Sequence, residues 1–407
     1  MNINLYTIAV VLTALLASCS PPLQEEAEPE PQPLPLPQTI RYDSIGRFGK
    51  HLTAAMLRDF PYGDPQFIDS LGFPKPDAEL ALPLAAQRKL VEQRYGKLRR
   101  SFGATDSRPA DFDEVIDLLE TRLAEETSFG DLPLRAVPVA GKDGRGNVKF
   151  TGYYAPILNV RRKPDATYRY PIYRFPKNWT GALPSRADID SKKVLAGKGL
   201  EIAYAADPVD VYYLQLQGSG YVKFQETGKT EYLGFAGDNN HRYRSMETAL
   251  LRNEKLRPRR LDQQYLKRFL RQHPDVRQEV LNANPSYTFF KVQKTEVRGA
   301  GQVPLTGGYS VAVDPKIIPL GSTLLATIPV YGPKNEVTHH EYRILFAQDT
   351  GGKIKGAGRV DVFMGIGDEA ARAAGRLHHF GKLWILLPEE AAAVADVNAS
   401  QARAAEG

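Results

Sequence analysis

Two aspartates, Asp349 and Asp361, lie in a glycine-rich segment that could support carboxylate chemistry. Residues 346–367 read FAQDTGGKIKGAGRVDVFMGIG and contain six glycines. Glycine weakens an ordinary strand, but it permits positive φ and lets a ligand approach the backbone closely. An isolated aspartate on a strand commonly just faces solvent. The flanking glycines and the second aspartate instead favour carboxylates that line a cleft.

Hydrophobic periodicity predicts the strands that position these aspartates. The apolar residues 343–347 predict a buried strand that ends at Asp349, and residues 360–363 predict a second, short strand. Because side chains alternate across a strand, Asp361 and Phe363 share one face and the two valines share the other. The pattern therefore places Asp361 beside an aromatic ring.

Length and charge restrict the class of protein. The chain has 407 residues, enough for two domains, with 42% hydrophobic and 25% charged residues. Its net charge of +6 indicates a polyanionic or acidic neighbour. No RRM, zinc-finger or helix-turn-helix signature accompanies that charge, so we expect no nucleic-acid partner. An anionic cell wall fits the charge equally well.

The single cysteine, Cys19, indicates a lipid anchor. Residues 8–16 form an apolar stretch too short to span a bilayer, and Leu16-Ala17-Ser18-Cys19 resembles a bacterial lipobox. This predicts a signal peptide at 1–18 and acylation of Cys19. The residue after it is serine, which predicts an outer-membrane lipoprotein facing the periplasm of a Gram-negative bacterium. The alternative is a plain secretory signal with an incidental cysteine.

The chain then changes character several times. Residues 19–38 are a Pro/Glu-rich linker, and residues 389–407 are an Ala-rich tail that we expect to be disordered. Residues 84–102 and 111–126 predict helices, the second amphipathic with Asp111 as its N-cap. Residues 150–290 predict mostly short strands separated by Pro, Gly and Asp turns, as in a β-barrel or sandwich.

One of these predicted strands, residues 211–217, suggests sugar binding. As a strand it places Gln215 and Gln217 on one face, ahead of a turn at Gly218 and Ser219. Amides beside tyrosines suit hydroxyls and pyranose faces, and Tyr154 is a further candidate. An ordinary half-buried strand shows the same alternation.

Other chemistries lack their motifs. There is no HExxH or CxxC, and the histidines have no metal-ligand spacing. The sequence Thr227-Gly228-Lys229-Thr230 ends like a P-loop, but Lys223 occupies the position of its first glycine. No glycine pair flanks a serine as in a nucleophile elbow. We therefore predict no metal and no cofactor.

Several blocks match one known pattern in the same order along the chain. They are TGYY at 151–154, LQLQGSG at 214–220, NPSYTFF at 284–290, SVAVDPKIIPLG at 310–321, DTGGKIKG at 349–356, Asp361, and GIG at 365–367. Together with the lipobox, these blocks resemble the membrane-bound lytic murein transglycosylase A family over roughly residues 153–388. Ala155 departs from the pattern, because the family commonly has glutamate after the paired tyrosines.

The resemblance implies a mainly β fold with N-terminal helices. A double-psi β-barrel catalytic domain would comprise residues 39–156 and 291–388, and a second, glycan-binding β-barrel, residues 157–290, would be inserted into it. It implies a peptidoglycan lytic exotransglycosylase, a carbon–oxygen lyase. The expected partners are glycan strands, the outer membrane and proteins of cell-wall synthesis.

The resemblance also assigns residues. Asp361 would be the single acid/base, with a pKa raised by burial or by a nearby carboxylate, and Asp349 would orient it, bind sugar or only cap the turn. We expect Lys353, Lys355 and Arg359 to point away from Asp361. Two alternatives stay open: a two-carboxylate hydrolase using Asp349 and Asp361, and a non-catalytic glycan-binding lipoprotein.

Overall fold

The computed structural model describes residues 78–389, except for 99, 103–104, 128, 130–131, 144–145, 253–257, 259–262, 295 and 333–336. The predicted signal peptide, Cys19, the linker and the tail beyond residue 389 lie outside the described residues. Within these ranges, no helix is both long and apolar enough to cross a bilayer.

The helices of the described ranges are interspersed among the strands. They are α1 (Ala81–Arg94), α2 (Pro109–Glu125), α3 (Arg186–Asp190), α4 (Pro208–Gln217), α5 (Met246–Arg252), α6 (Gln263–Gln272), α7 (Pro274–Asn282) and α8 (Gly367–Arg376). Short 3₁₀ turns, Ala78–Leu80 and Tyr95–Lys97, flank α1.

The strands belong to one small hairpin and two larger sheets. In chain order they are β1 (Arg100–Phe102), β2 (Thr105–Ser107), β3 (Leu134–Pro138), β4 (Val148–Ala155), β5 (Ile157–Arg161), β6 (Tyr170–Tyr173), β7 (Glu201–Ala205), β8 (Gly220–Phe224), β9 (Thr230–Asp238), β10 (Thr288–Gln293), β11 (Ser310–Val313), β12 (Thr323–Tyr331), β13 (Val337–Thr350), β14 (Arg359–Ile366), β15 (His378–Gly381) and β16 (Leu383–Pro388).

Each larger sheet curls back on itself. One has the order β15-β4-β14-β11-β13-β12-β16-β3, and Thr327 in β12 exchanges hydrogen bonds with Lys382, just after β15. The other has the order β10-β9-β8-β5-β7-β6, and a bridge from Arg174 to Phe290 joins its two edges. The predicted mainly β architecture with N-terminal helices is confirmed.

The first sheet contains strands from both ends of the described chain, and β5–β10 form the second between them. Apolar side chains from β4, β11, β13 and β14 fill the interior of the first sheet. The helices α1 and α2 cover its outer face around β12, β13 and β16. Burial of this apolar area is the main source of stability for both layers.

Helix α2 has the predicted amphipathic stripe but a different start. Phe112, Val115 and Ile116 are at most 2% exposed. The helix begins at Pro109, so Asp111 is its third residue and not its N-cap. The Asp111 carboxylate accepts a hydrogen bond from the backbone N–H of Arg108, which completes a capping box.

The strand predicted for residues 211–217 is wrong, because this segment is helix α4. The Oδ1 atom of Asp207 caps the helix by accepting from the N–H of Val209 at 2.9 Å, and Pro208 occupies its first turn. Gly218 ends it with φ of 81°. The helix is buried on most sides, so tertiary packing overrides the strand propensity of its valines and tyrosines.

Three fully buried polar residues tie α1 to the first sheet. The Oγ of Ser310 donates to the Gln348 side-chain oxygen at 2.6 Å. The Gln348 amide nitrogen donates to the side-chain oxygen of Gln87 and to the carbonyl of Pro83, both at 3.2 Å. The network pins α1 against β11 and β13, the strands that lead to the glycine-rich segment.

We expect Gln348→Ala to lower the free energy of unfolding by about 3 kcal/mol, because it removes the partners of the buried Gln87 side-chain oxygen and Ser310 hydroxyl hydrogen and opens a cavity. Chemical denaturation measures this. The exposed Gln225→Ala is the matched control, with a change within about 0.5 kcal/mol. Equal effects of the two substitutions would contradict a structural role for the network.

Candidate active site

The face that carries Asp361 is formed by the parallel pair β4 and β14. Their register makes three cross-strand pairs on it: Lys149 with Arg359, Thr151 with Asp361, and Tyr153 with Phe363. The intervening Phe150, Val360 and Val362 are buried in the core of the first sheet. The predicted alternation around Asp361 is confirmed. Over roughly 13 Å the face changes from cationic, through the carboxylate, to aromatic.

Arg359 points towards Asp361, contrary to the predicted outward orientation. One of its terminal nitrogens, Nη2, lies 3.2 Å from the Oδ1 atom of Asp361, and its Nε donates to the Oγ1 of Thr151 at 3.2 Å. The side chains of Arg359 and Asp361 are 35% and 17% exposed. The ion pair therefore orients a carboxylate that solvent can still reach.

Opposing electrostatic effects act on Asp361. Burial raises the pKa of its carboxyl, whereas Arg359, Lys353 and Lys149 lower it. Burial has the larger effect, so the pKa of Asp361 lies above its usual value. This direction agrees with the expectation for a group that must carry a proton near neutral pH.

Asp349 lies in the same cross-strand row as Asp361, with one strand between them. Ala312 in β11 pairs with Asp349 on one side and with Asp361 on the other. Two interstrand spacings put the Cα atoms of the aspartates about 10 Å apart. The structure thus brings together two residues that the sequence linked only by proximity along the chain.

The carboxylate of Asp349 is fully engaged by the protein. It accepts hydrogen bonds from the Tyr153 hydroxyl at 2.7 Å, from the Ala300 N–H at 2.7 Å and from the Thr350 N–H at 2.8 Å. Burial raises the pKa of Asp349, and the three donors oppose that shift. Tyr153 also packs on Phe363 with ring centroids 5.3 Å apart, so Asp349 supports the aromatic end of the Asp361 face.

The loop between β13 and β14 is held by Asp314. Its carboxylate accepts from the N–H of Gly356 at 2.7 Å and from the N–H of Lys316 at 3.0 Å. These backbone donors hold the pKa of Asp314 below its usual value. Asp314 is therefore a turn residue, as its position before Pro315 suggests.

The two lysines of this loop behave differently. Lys355 is exposed, in line with its predicted outward orientation. Lys353 is exposed along most of its length, but its ammonium packs on the Tyr243 ring, with Nζ 3.1 Å from the ring centre. Desolvation of the ammonium lowers the pKa of Lys353 to about 7. The Lys353 ammonium thus contacts the segment between β9 and α5 and acts electrostatically on Asp361.

The predicted sugar-binding residues Gln217, Tyr154 and Gln215 lie in different environments. Gln217 accepts a hydrogen bond from the backbone N–H of Tyr154 at 3.1 Å. The Tyr154 hydroxyl accepts from Lys267 at 3.1 Å and from Gln263 at 3.2 Å. Gln215, by contrast, is buried and only 5% exposed. Residues two apart on a helix point in different directions. Gln215 and Gln217 therefore do not share a face.

Gly218 and Ser219 are half-buried at the carboxyl end of α4. Gly220, which follows them, packs so closely that an added Cβ would lie 2.8 Å from the Pro156 carbonyl oxygen. This segment therefore runs beside the end of β4. Ala155 is fully buried with Phe363 and Tyr232, so the position that departs from the family pattern is apolar here.

The sequence alone did not identify three side chains as neighbours of Asp361: Arg359, Lys149 and Thr151. The contact of Arg359 was recoverable, because residues two apart on a strand share a face. Lys149 and Thr151 reach Asp361 only through strand pairing across the fold. No group of three potential metal ligands occurs among the residues that the structure describes.

Comparisons with known proteins agree on one family. The model described as the MltA specific insert domain matches residues 149–291, and the model described as the 3D domain matches residues 309–387. The membrane-bound lytic murein transglycosylase A of Escherichia coli K12 is 39% identical over 249 residues, which are 60% of this chain and 67% of that protein. Its counterpart from Vibrio cholerae is 34% identical over 265 residues, 64% of this chain and 71% of that protein.

Solved structures show the same likeness. The crystal structure of E. coli MltA with bound chitohexaose has a TM-score of 0.66 and 30% identity, and it covers 78% of this chain and 92% of that chain. A membrane-bound lytic murein transglycosylase from Agrobacterium tumefaciens has a TM-score of 0.64 and 27% identity, covering 78% and 95%. The predicted double-psi β-barrel with a second inserted β-barrel is confirmed.

The opposite pKa shifts of Asp361 and Asp314 predict opposite effects of Asp→Asn on stability. The folded-state pKa of Asp361 is raised, so its ionisation opposes folding as pH rises through that pKa. Asp361→Asn should therefore raise the melting temperature at pH 7, by an amount that shrinks towards pH 4. Each unit of raised pKa corresponds to about 1.4 kcal/mol.

Asp314→Asn is the matched comparison. Its folded-state pKa is depressed, so the carboxylate stabilises the fold above its unfolded-state pKa, and this stability is lost as pH falls through the folded-state pKa. This variant should melt lower than the parent at pH 7, with the difference shrinking below about pH 4. Melting scans from about pH 2.5 to 8 test both. A lower melting temperature for Asp361→Asn at pH 7 would contradict the raised pKa.

Proposed function

The chain belongs to the membrane-bound lytic murein transglycosylase A family, and we propose that it is a lytic transglycosylase that cleaves the MurNAc-GlcNAc β-1,4 bond of peptidoglycan. The product is a 1,6-anhydro-MurNAc end, and the role is cell-wall turnover and recycling. The observation that carries this proposal is Asp361, a mostly buried carboxyl with a raised pKa, on a face that continues into aromatic side chains.

In the proposed mechanism Asp361 acts twice. Its carboxyl first protonates the glycosidic oxygen, which leaves with GlcNAc. The resulting carboxylate then takes the proton of the MurNAc C6 hydroxyl while that oxygen bonds to C1 of the same sugar. The proton returns to Asp361 and no water is consumed. Because the nucleophile belongs to the substrate, one carboxylate replaces the usual pair.

The two influences on Asp361 match these two steps. Burial favours the protonated form that the first step needs. The Arg359 nitrogen at 3.2 Å favours the carboxylate that the second step needs. A group that must give and then accept a proton works best when neither form is strongly preferred.

We assign Asp349 a positioning role. Its oxygens accept three hydrogen bonds from protein donors, so they are occupied by the protein and not directed at a second reactant. Through Tyr153 it supports Phe363, two residues beyond Asp361. This arrangement favours the transglycosylase over the two-carboxylate hydrolase.

We propose Gln217, Gly218 and Ser219 as glycan contacts, because they lie at the end of α4 beside β4. Tyr154, only 3% exposed and bonded to Lys267, would instead hold α6 against β4. The burial of Gln215 does not fit a direct sugar contact. The domain boundaries after residues 156 and 290 remain predictions.

We also propose that the protein is an outer-membrane lipoprotein anchored through acylated Cys19 and facing the periplasm. The lipobox sequence supports this, and the curated relatives are named as membrane-bound. The linker of residues 19–38 would hold the enzyme off the membrane, where it could meet glycan strands and proteins of cell-wall synthesis. Mass spectrometry of the amino-terminal peptide tests the acylation.

We expect purified peptidoglycan treated with the chain to release anhydro-muropeptides, and Asp361→Asn to lower the rate at least about 10³-fold, since it removes both proton transfers. Mass spectrometry of the soluble fragments identifies the products. The exposed Asp275→Asn is the matched control and should keep full activity. Reducing MurNAc ends from the parent would establish hydrolysis instead. Glycan binding without turnover would leave the non-catalytic alternative.

Tyr153→Phe and Asp349→Asn should each slow the reaction about tenfold, because each disrupts the hydrogen bond from the Tyr153 hydroxyl to Asp349. Both variants should still form only anhydro products. Initial rates and product masses check this together. If Asp349→Asn abolishes turnover while Tyr153→Phe does not, Asp349 takes part in the chemistry itself.

A further inference from the structure

Three basic side chains act on Asp361 and form what we call the cationic patch: Lys149, Lys353 and Arg359. Lys149 and Arg359 are direct neighbours across the β4–β14 pair. Lys353 comes from the loop between β13 and β14. All three influence Asp361 electrostatically, so they occupy the same small region.

The protein balances the positive charge of the patch only in part. Arg359 forms an ion pair with Asp361, but neither Lys149 nor Lys353 forms one with any carboxylate of the described residues. Glu247 acts on Lys353 more strongly than Asp361 does, but it forms no ion pair with it, and its side chain accepts a hydrogen bond from the Ser245 hydroxyl. Asp361 is thus the one carboxylate of the described residues that forms an ion pair within the patch.

This arrangement opposes folding unless something compensates it. Like charges on directly paired strand residues repel, and Lys149 is half-buried beside Arg359. Desolvation and the neighbouring Arg359 both lower the pKa of Lys149. An anion bound here would relieve the repulsion and would be held by charge-assisted hydrogen bonds.

We propose that the cationic patch binds a carboxylate on the side chain of the muramic acid residue whose bond is cleaved. This inference rests on the proposed function and adds a specificity site to it. The Lys149–Arg359 row lies about 7 Å from the row of Asp361, two residues along the strands. The lactyl substituent stands on C3 of the ring whose C1 reacts, so its carboxyl group, or the stem peptide attached to it, extends from the reacting sugar.

The opposite end of the face has a different character. Tyr153 and Phe363 pack there, and the cluster continues into Tyr232 of the second sheet. Phe363 and Tyr232 are buried and Tyr153 is half-buried, so Tyr153 is the ring of this cluster that a neutral pyranose can reach, whereas a carboxylate suits the cationic end. The patch would thus define the direction in which a glycan strand lies across Asp361.

The test is equilibrium binding to the full chain carrying Asp361→Asn, with and without Lys149→Met plus Lys353→Met. The exposed Lys355→Met in the same loop is the matched control. The probes are peptide-bearing glycan strands, strands stripped of peptides by an amidase and so bearing lactyl carboxylates, and neutral chitohexaose. Fluorescence anisotropy at 50 and 200 mM salt measures each dissociation constant.

We expect the double lysine variant to weaken binding of a carboxylate-bearing glycan at least about tenfold, and to leave chitohexaose within about twofold. Loss confined to stripped strands identifies the lactyl carboxylate, and loss confined to peptide-bearing strands identifies a stem-peptide carboxylate. The salt dependence of the affected probe should also decrease.

Equal weakening for all three probes, or no change for either carboxylate-bearing glycan, would overturn the anion site while leaving the transglycosylase proposal intact. If Lys355→Met weakened binding equally, the anion site would also be overturned, because the loss of affinity would then follow from the lower net charge of the protein and not from a specific site. If the parent binds none of the three glycans, the glycan-cleaving function itself fails, and the anion site with it.

Discussion

Parallel pairing of β4 with β14 joins two stretches of chain that lie far apart in sequence, since Thr151 and Arg359 are 208 positions apart. It places Lys149, Thr151 and Tyr153 beside Arg359, Asp361 and Phe363, which share one face of β14. A shift of one residue would turn every one of these side chains to the other face. The valines and Phe150 on the buried side oppose such a shift, so the apolar core sets the geometry of the polar face.

The environment of Asp361 combines burial with nearby cations, and either effect alone would hold the carboxyl in one protonation state. Burial without a cation would leave a carboxyl too weak as an acid to ionise readily, and cations without burial would leave it ionised throughout. Arg359 occupies the position two residues earlier on the same strand, so the backbone itself sets its reach. Asp349 acts at a distance, through the hydroxyl of Tyr153, and its three donors hold it in one orientation.

Helix α4 shows where a local pattern misleads. Its valines, tyrosines and alternating glutamines favour a strand, yet Asp207-Pro208 at one end and Gly218 at the other are helix start and stop signals. Burial on most sides removes the amphipathic period that would reveal a helix. The outward orientation expected for Arg359 is wrong for a different reason: Arg359 and Asp361 are two residues apart on one strand, so they share a face and form an ion pair.

The sequence by itself determined the family, the mainly β class, the amphipathic stripe of α2 and the shared face of Asp361 and Phe363, because order of motifs and periodicity are properties of neighbouring residues. Only the tertiary structure decided that Ala312 stands between Asp349 and Asp361, that Lys149 adjoins Arg359, and that Gln215 is buried while Gln217 meets Tyr154. Strand pairing and helix packing between distant segments depend on how the whole core closes. No window of sequence contains that information.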